Sequence, residues 1–518
     1  MESLLARIQA GWVYAVIVLV LYVTGLVVYR LYFSPLSKFP GPKLAAATLL
    51  YEFYYDVVRR GQYTFKIKEL HKQYGPIIRI SPYELHVNDP AFYETLYSQH
   101  SPRDKSRFLL NIFDLHKSTF GTEKHDLHRI RRAAINPFFS RQRILRLEPV
   151  IQHLSRRLCE RSEDFARAGE PIPLARGFSC LVTDVLTEYI LTESYNYLGK
   201  PEWAPHWHRT VRSVPEYGIA AKYVPWILPT LKAIPPSWVA VADPGMGMVL
   251  GYYKACEAKI REIMNDKERS IEKAKQKMST LPTLFHELLD ANLPPEEKSF
   301  ARLSEECQSI VGAGTETTAH ALEVICFHLL DNPDKLQKLR EELDHLNPDR
   351  KATIPLCELE KLPYLSSVVL EGLRLSYGVG TRLQRIAPTE TLRYAEYTIP
   401  PGTPVSMTAY IQHHDESIFP HSHKFIPERW LDPVERRRLE KYMVAFSRGS
   451  RQCVGMNIQN YSLARAELFI TLSTFFRWFQ HIEIFDTTRE DDIDMKHDLF
   501  LPRPGNLQSE GLQVKIYL

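Results

Sequence analysis

The hydrophobic pattern separates a short apolar stretch at the start of the chain from a long mixed body. Gly11 to Tyr29 runs 19 residues without a charge. As a helix that is roughly 28 Å, the thickness of a bilayer's hydrocarbon core. Trp12, Tyr14, Tyr29 and Tyr32 stand near its ends, where aromatic rings favour the interface. A signal peptide has a shorter apolar run and a small-residue cleavage site, whereas Arg30, Pro35, Pro40 and Pro42 follow here. The pattern predicts a membrane anchor over 1–30, a proline-rich hinge over 31–44 and a single body over 45–518. Arg30, Lys38 and Lys43 follow the span and only Arg7 precedes it, which puts the body on the cytosolic side.

Beyond Pro42 no apolar run is long enough to span a membrane, and no repeat or Gly/Ser linker breaks the chain. Ile77 to Val87 has β-branched residues around a turn signal and predicts a hairpin. His125 to Ala134 predicts a basic helix that stops near Pro137. Residues 145–300 are helical in pattern, broken by prolines near 225–236. Ala301 to Leu330 predicts a long apolar-rich helix, with Pro333 opening the next one. Tyr364 to Leu375 predicts another helix. Leu392 to Ala409 predicts strands joined at Pro400-Pro401-Gly402, His413 to about Arg448 an irregular loop, and the segment just after Cys453 a final helix. The expected fold class is mainly α with small β-sheets.

Composition narrows the function. The chain has 518 residues, 44% hydrophobic and 24% charged, the balance of a globular protein. A formal charge of +4 gives no reason to expect a nucleic-acid partner. The seven cysteines are scattered and never form C-x-x-C, which fits free thiols in a reducing compartment. A cytosolic body would also leave the sequon Asn460-Tyr461-Ser462 unused.

The sharpest chemistry lies in Phe446–Gly455, FSRGSRQCVG. A thiolate that ligates iron needs backbone N–H donors around its sulfur and glycines where the chain turns beneath a flat cofactor. Gly449 and Gly455 flank Cys453 accordingly. A following helix would favour the negative sulfur. Arg451 is placed to pair with a cofactor carboxylate, and Phe446 to shield the sulfur. A lone cysteine is usually a small apolar core residue, but five fixed positions at this spacing are a specific signal.

These residues resemble the cysteine loop of the cytochromes P450, the haem-thiolate monooxygenases, and the likeness extends from the KFPGPK segment to the C-terminus. Ala313-Gly314-Thr315-Glu316-Thr317-Thr318 resembles the family's oxygen-side helix motif. Polar residues in so apolar a helix are costly to bury without partners. The resemblance implies that Glu316 and Thr317 relay protons to dioxygen, that a Thr hydroxyl bonds back to a carbonyl and bends the helix, and that Ala313 and Gly314 keep it thin across the haem face. Glu371-x-x-Arg374 alone would pass for a surface ion pair. With Pro427-Glu428-Arg429-Trp430 downstream, it resembles a structural Glu371–Arg374–Arg429 cluster that locks the loop beneath the cofactor.

The resemblance also implies an iron of haem b (heme b) ligated axially by Cys453, with His128, Arg132 and Arg385 as further cofactor contacts. His128 replaces the family's tryptophan and donates only in a suitable tautomer. Arg382 is the weaker candidate beside Arg385. Val379, Gly380 and Thr381 would line the substrate side, and residues 100–120 and 205–255 are candidate pocket walls. No nucleotide fingerprint is present, so electrons must arrive from a partner: by resemblance NADPH-cytochrome reductase, with cytochrome b5 as a second donor, at the endoplasmic reticulum membrane. The expected reaction inserts one atom of O2 into an apolar small molecule by hydroxylation or epoxidation. Alternatives are a haem-thiolate isomerase or dehydratase, against which Glu316-Thr317 speaks, and a non-catalytic haem sensor. HDLHRIRRAAINPFFS is similar to filamentous-fungal members of the trichodiene-oxygenase type, which implies a terpenoid or other secondary metabolite; polyketide, alkaloid, sterol and xenobiotic substrates stay open.

Two further patterns have mainly structural readings. His413, His414, His421 and His423 read as a solvated loop rather than a zinc site, and Asn265 to Lys277 as a solvated helix face. Arg436, Arg437, Arg438, Lys441 and Arg448 are either a solvated face or a docking surface for an acidic redox partner.

Overall fold

The structure, a computed structural model, describes residues 2–265, 283–456 and 463–518. The sequon, and the Asn265–Lys277 run beyond its first residue, lie outside them. Helix α1 (Glu2–Val28) leads into a wider turn at Tyr29–Phe33, so that Ala10–Phe33 forms one exposed apolar span. Where this span meets the body, the buried Arg79 donates to the Arg30 carbonyl at 2.7 Å and Arg30 donates to the Ala47 carbonyl at 2.8 Å.

The body is helical. Its principal helices are α2 (His125–Ile135), α3 (Arg141–Ala168), α4 (Leu174–Ile190), α5 (Pro205–Ala221), α6 (Pro244–Asn265), α7 (Phe300–Leu330), α8 (Pro363–Ser376) and α9 (Leu463–Trp478). Helix α3 stops at Gly169, whose φ of +72° lets the chain turn left-handed while the last carbonyls are capped. Helix α7 ends as expected at Asn332-Pro333: the Asn332 amide donates to the His328 carbonyl at 2.8 Å, and Pro333 opens the helix Pro333–Leu346. The largest apolar core lies among α3, α4, α6, α7, α8 and α9.

A five-stranded sheet has the order Ile77–Arg79, Leu85–Val87, Pro404–Ser406, Arg385–Ile386, Asp104–Lys105. Its first two strands are the expected hairpin, paired Ile77 to Val87. The strands expected at Leu392–Ala409 exist, but their pairing differs. Leu392–Tyr394 and Tyr397–Ile399 form a hairpin around Ala395, and Pro404–Ser406 leaves to pair with Leu85–Val87 and Arg385–Ile386. The turn at Pro400–Gly402 therefore joins two sheets. A second difference lies in the expected irregular loop, which holds the helix Pro433–Glu440. Asp432 caps it through the backbone N–H groups of Val434 and Glu435, a start signal that Asp432-Pro433 carried in the sequence.

The histidines of that loop are not uniformly solvated. His413 and His414 are buried. His413 Nδ1 lies 2.8 Å from the Arg374 carbonyl and Nε2 accepts from the Val444 N–H at 3.0 Å, which sets the tautomer. Burial pushes its pKa down to about 3, so the ring stays neutral. His414 stacks on the exposed His423. Among the described residues no three His, Cys, Asp or Glu side chains gather as metal ligands. In the basic stretch, Arg436 pairs with Glu440 at 2.9 Å and Arg438 with Glu435 at 2.6 Å, while Arg437 and Lys441 are exposed.

Candidate active site

The cysteine loop is built from backbone. The Cys453 N–H donates to the Phe446 carbonyl at 3.0 Å, and the Ser450 N–H to the Ser98 carbonyl at 3.1 Å. Gly449 has a φ of +76°, and a side-chain carbon there would stand 2.2 Å from the Tyr97 carbonyl oxygen, so only glycine fits. A carbon added at Gly455 would lie 3.6 Å from the Cys453 sulfur. Burial raises the thiol's pKa; N–H groups of Gly455 and Met456 and the Arg132 charge pull the other way by favouring the thiolate. Although this sulfur is desolvated, Cys453 keeps accessible surface. Ala313 in the middle of α7 does the same, while Val311, Thr315 and Thr318 around it are buried.

Helix α2 is stapled to this loop. Arg132 donates to the Gln452 carbonyl at 2.7 Å and to the Cys453 carbonyl at 3.1 Å. Arg451 is spent largely on backbone: its guanidinium donates to the carbonyls of Arg103, Thr122 and Glu123 at 3.1, 2.8 and 2.7 Å. Arg385 is buried with its guanidinium 5.0 Å from the Tyr97 ring centre. Lys105, which the sequence did not single out, joins them; it is buried and donates to the Phe120 carbonyl at 2.6 Å.

These cations strain one another. Burial, then Arg451, Arg385 and Arg132, holds Lys105 well below the usual lysine range. Burial and Arg385 push Arg451 down to about 9. Burial followed by Arg451, Lys105, Arg132 and Arg385 keeps His128 neutral. Asp104 is the one carboxylate that eases Arg451 among the main influences on these groups. So many cations buried with so little counter-charge are costly unless an anionic group shares the site. The cluster therefore fits a cofactor that brings carboxylates to the edge of a flat ring beside the cysteine.

On α7, the Thr317 hydroxyl donates to the Ala313 carbonyl at 2.9 Å, the expected bond one turn back. Glu316 is buried and turned elsewhere: it accepts from Arg503 at 2.8 Å. Gly314 faces α4, where an added carbon would meet Leu186 at 2.7 Å, so its small size serves the close approach of two helices.

The expected structural cluster stands apart from these groups and is fully formed. Glu371 and Arg374 are 0% exposed, and Arg374 donates twice to Glu371, at 3.0 and 2.8 Å. Glu371 also accepts from Arg429 at 3.2 Å, Trp430 at 2.9 Å and the Ile426 N–H at 3.0 Å. Arg374 ties down the carbonyls of His413, Ser422 and Lys424. Arg382 belongs to a different network, bonding Glu52 at 2.6 Å and Glu84 at 3.0 Å.

Of the expected pocket walls, part of 100–120 and Ile219 alone from the buried apolar residues of 205–255 meet in one apolar cluster, the others of that second stretch packing into the main core. The cluster joins Leu109, Ile112, Phe113 and Phe120 to Ile219 of α5, to Val379 and to Leu499, Phe500 and Leu501. The backbone at Gly380 is held by the Phe500 carbonyl at 3.0 Å, and Thr381 beside it is buried. Phe113 and Phe500 meet edge to face at 4.8 Å between ring centres. The contribution of residues 499–501 carried no motif in the sequence.

A cysteine loop gripped by Arg132 and bordered by buried cations has the chemistry of a haem-thiolate site. A family model for cytochrome P450 matches residues 42–508, and the chain belongs to that family. Its relatives include Cytochrome P450 monooxygenase MO6277 of Ascocoryne sarcoides, 47% identical over 503 residues and covering 96% of both chains. Tryptophan 6-hydroxylase fscE of Fusarium equiseti is 42% identical, covering 97% of this chain and 96% of the relative. N-acetyltryptophan 6-hydroxylase ivoC of Emericella nidulans is 40% identical, covering 98% and 97%. The chain is a cytochrome P450 monooxygenase of the fungal secondary-metabolism kind, with haem as cofactor and a cysteine thiolate as the iron's ligand. Family members take electrons from a redox partner and use O2 on small molecules.

Proposed function

We propose that Cys453 is the axial thiolate, that Arg132, Arg385, Arg451 and Lys105 hold the carboxylates of haem, and that His128 adds a neutral N–H donor. The observation that carries this is the buried cationic cluster joined to the cysteine loop through Arg132. Haem bound there supplies a redox-active iron whose thiolate ligand favours O–O cleavage. The chain's own residues do the rest. Gly449 and Phe446 shape the loop, the apolar cluster orients the substrate and excludes water, and Glu316 with Thr317 moves protons.

In this reading Ala10–Phe33 anchors the protein in the endoplasmic reticulum membrane with residues 45–518 on the cytosolic side. Electrons come from NADPH-cytochrome reductase, with cytochrome b5 as a second donor. The substrate is an apolar intermediate of secondary metabolism that receives one oxygen atom. The edge-to-face rings of Phe113, Phe120 and Phe500 suit a planar aromatic ring. Two relatives named as hydroxylases of tryptophan and N-acetyltryptophan support ring hydroxylation of an indole. A terpenoid is the second reading, favoured by the aliphatic lining at Leu109, Ile112, Ile219, Leu499 and Leu501.

Two measurements test this. Cys453→Ala should abolish the carbon-monoxide difference band of a thiolate-ligated haem; a normal band in that variant overturns the ligand assignment. Reductase-supported microsomes should oxidise N-acetyltryptophan or another indole. Turnover of sesquiterpenes alone would reject the aromatic reading for the terpenoid one.

A further inference from the structure

Two threonines in the polar break of α7 use their hydroxyls in opposite ways. Thr317 bonds back to the Ala313 carbonyl at 2.9 Å, which loosens the helix on the side where Ala313 and Thr317 keep accessible surface. Thr315 lies two positions earlier, and so about 200° around the helix axis. It is 0% exposed, and its hydroxyl stands 3.2 Å from that of Thr183 in α4. The direction of this bond is fixed by its surroundings. Thr183 spends its one hydroxyl hydrogen on the Ser179 carbonyl at 2.6 Å and accepts the indole N–H of Trp207 in α5 at 2.7 Å. Only Thr315 has a proton left to give, so it donates to Thr183. Leu186, one turn beyond Thr183 on the same face of α4, packs where Gly314 lacks a side chain. Two turns earlier on α7, Tyr252 of α6 donates to the Gln308 carbonyl at 2.5 Å, and its ring meets Trp207 edge to face at 5.4 Å. The break is therefore tied to α4, and through Thr183 to α5, on the side away from Thr317.

We propose that Thr183 and Thr315 are positioning residues for Thr317: their bond pins the closed side of the break, so that the loosened side keeps the Thr317 hydroxyl turned towards the oxygen site. This rests on the reading of Thr317 as part of the proton path. A carbonyl shared between a backbone N–H and a hydroxyl weakens the helix ladder and bends the helix there. Without a hold on the other side, the segment from Ala313 to Thr318 is free to turn or straighten, carrying Thr317 with it. The pin suits that task because both hydroxyls are buried, where solvent does not compete for either. Trp207 fixes the rotamer of Thr183, since turning that side chain would leave the indole N–H without its acceptor.

The test uses the full-length holoenzyme, reduced and bound to carbon monoxide. It reads the C–O stretching band by infrared, which senses hydrogen-bonding groups beside the bound gas. Thr317→Ala should shift the band. Thr315→Val, which keeps the shape of threonine without its hydroxyl, should shift or split it too. Thr315→Ser, which restores the donor, should keep the parental band. Adding Thr315→Val to Thr317→Ala should move the band no further. A parental band in Thr315→Val overturns the pin, and so does a Thr315→Val shift that persists when residue 317 is already alanine. A band left unmoved by Thr317→Ala sinks the reading of Thr317 on which the pin rests. A band moved by Thr317→Ala but not by Thr315→Val sinks the pin alone. Thermal unfolding of the holoprotein gives a second readout: melting shifts for Thr315→Val and Thr183→Val should be non-additive, and additive shifts overturn the hydroxyl pair. Thr183→Val also strands the Trp207 N–H, so where it yields no holoprotein the same cycle is run with Trp207→Phe throughout.

Discussion

Arg132 donates to the carbonyl of Cys453 at 3.1 Å, so a side chain on α2 grips the backbone of the residue assigned as iron ligand. The same guanidinium holds Gln452 at 2.7 Å. Arg132→Ala should loosen the loop and remove one cation from the cofactor edge. Purified variant is expected to carry less haem per protein than the parent, by at least half, when cofactor content is measured by pyridine haemochrome. Equal content would show that the staple is dispensable.

Glu371 is buried with five donated hydrogen bonds, from Arg374, Arg429, Trp430 and the Ile426 N–H. Glu371→Ala leaves two guanidinium groups without their acid. Breaking a buried pair in this way costs about 3–5 kcal/mol. Little folded holoprotein is expected, read as the yield of the thiolate band per cell. A variant with parental yield and melting temperature would place the cluster among dispensable ion pairs.

Gly449→Ala puts a carbon at a φ of +76° and within 2.2 Å of the Tyr97 carbonyl oxygen. The left-handed conformation alone costs about 1–2 kcal/mol. Backbone cannot yield as a flexible side chain can, so the loop must shift. The expected carbon-monoxide spectrum loses its thiolate-ligated band in favour of the band of haem without a thiolate ligand, on the order of half the protein or more.

Thr317→Ala deletes the hydroxyl that bonds the Ala313 carbonyl. Helix packing should survive, since the side chain is only half-buried. Product formed per NADPH oxidised should fall severalfold, with the difference appearing as hydrogen peroxide. Full coupling in this variant would remove Thr317 from the proton path.

Asp498 has a pKa pushed up to about 6 by burial, with Asp56 adding to the effect and the Thr64 hydroxyl at 2.5 Å opposing it. A carboxyl whose folded pKa lies above its ordinary 3.8 is favoured by folding in its protonated form. Below about pH 4 it costs nothing, and it destabilises progressively as pH rises through 6. Asp498→Asn, which stays neutral, should raise the melting temperature at pH 7.5, by at most about 3 kcal/mol in stability. The gain should shrink as pH falls to 5. A gain that is independent of pH would show that charge is not its source.

The hairpin Ile77–Val87 and helices α2, α7 and α8 were legible because each is an unbroken local pattern with stop signals of its own. So was the cysteine loop by its spacing, although the closeness of the Tyr97 carbonyl that makes Gly449 necessary was not. Glu371 and Arg374 showed only as a helical i, i+3 pair until the downstream Arg429 was added. Local spacing cannot report burial, and burial makes that pair structural. The strand Pro404–Ser406 was seen, but not its partners, because the pairing is made across more than three hundred residues with Leu85–Val87.

By itself the chain determined its apolar leading span, its helical character and the kind of metal ligand it carries, since these depend on residues close together and on side-chain chemistry that no fold alters. Tertiary structure alone decided that Lys105 joins Arg132, Arg385 and Arg451, that Phe500 faces Phe113, and that Glu316 answers to Arg503. Charge and packing act through space: residues 105 and 451, or 316 and 503, become neighbours only when the helices and sheet have closed around them.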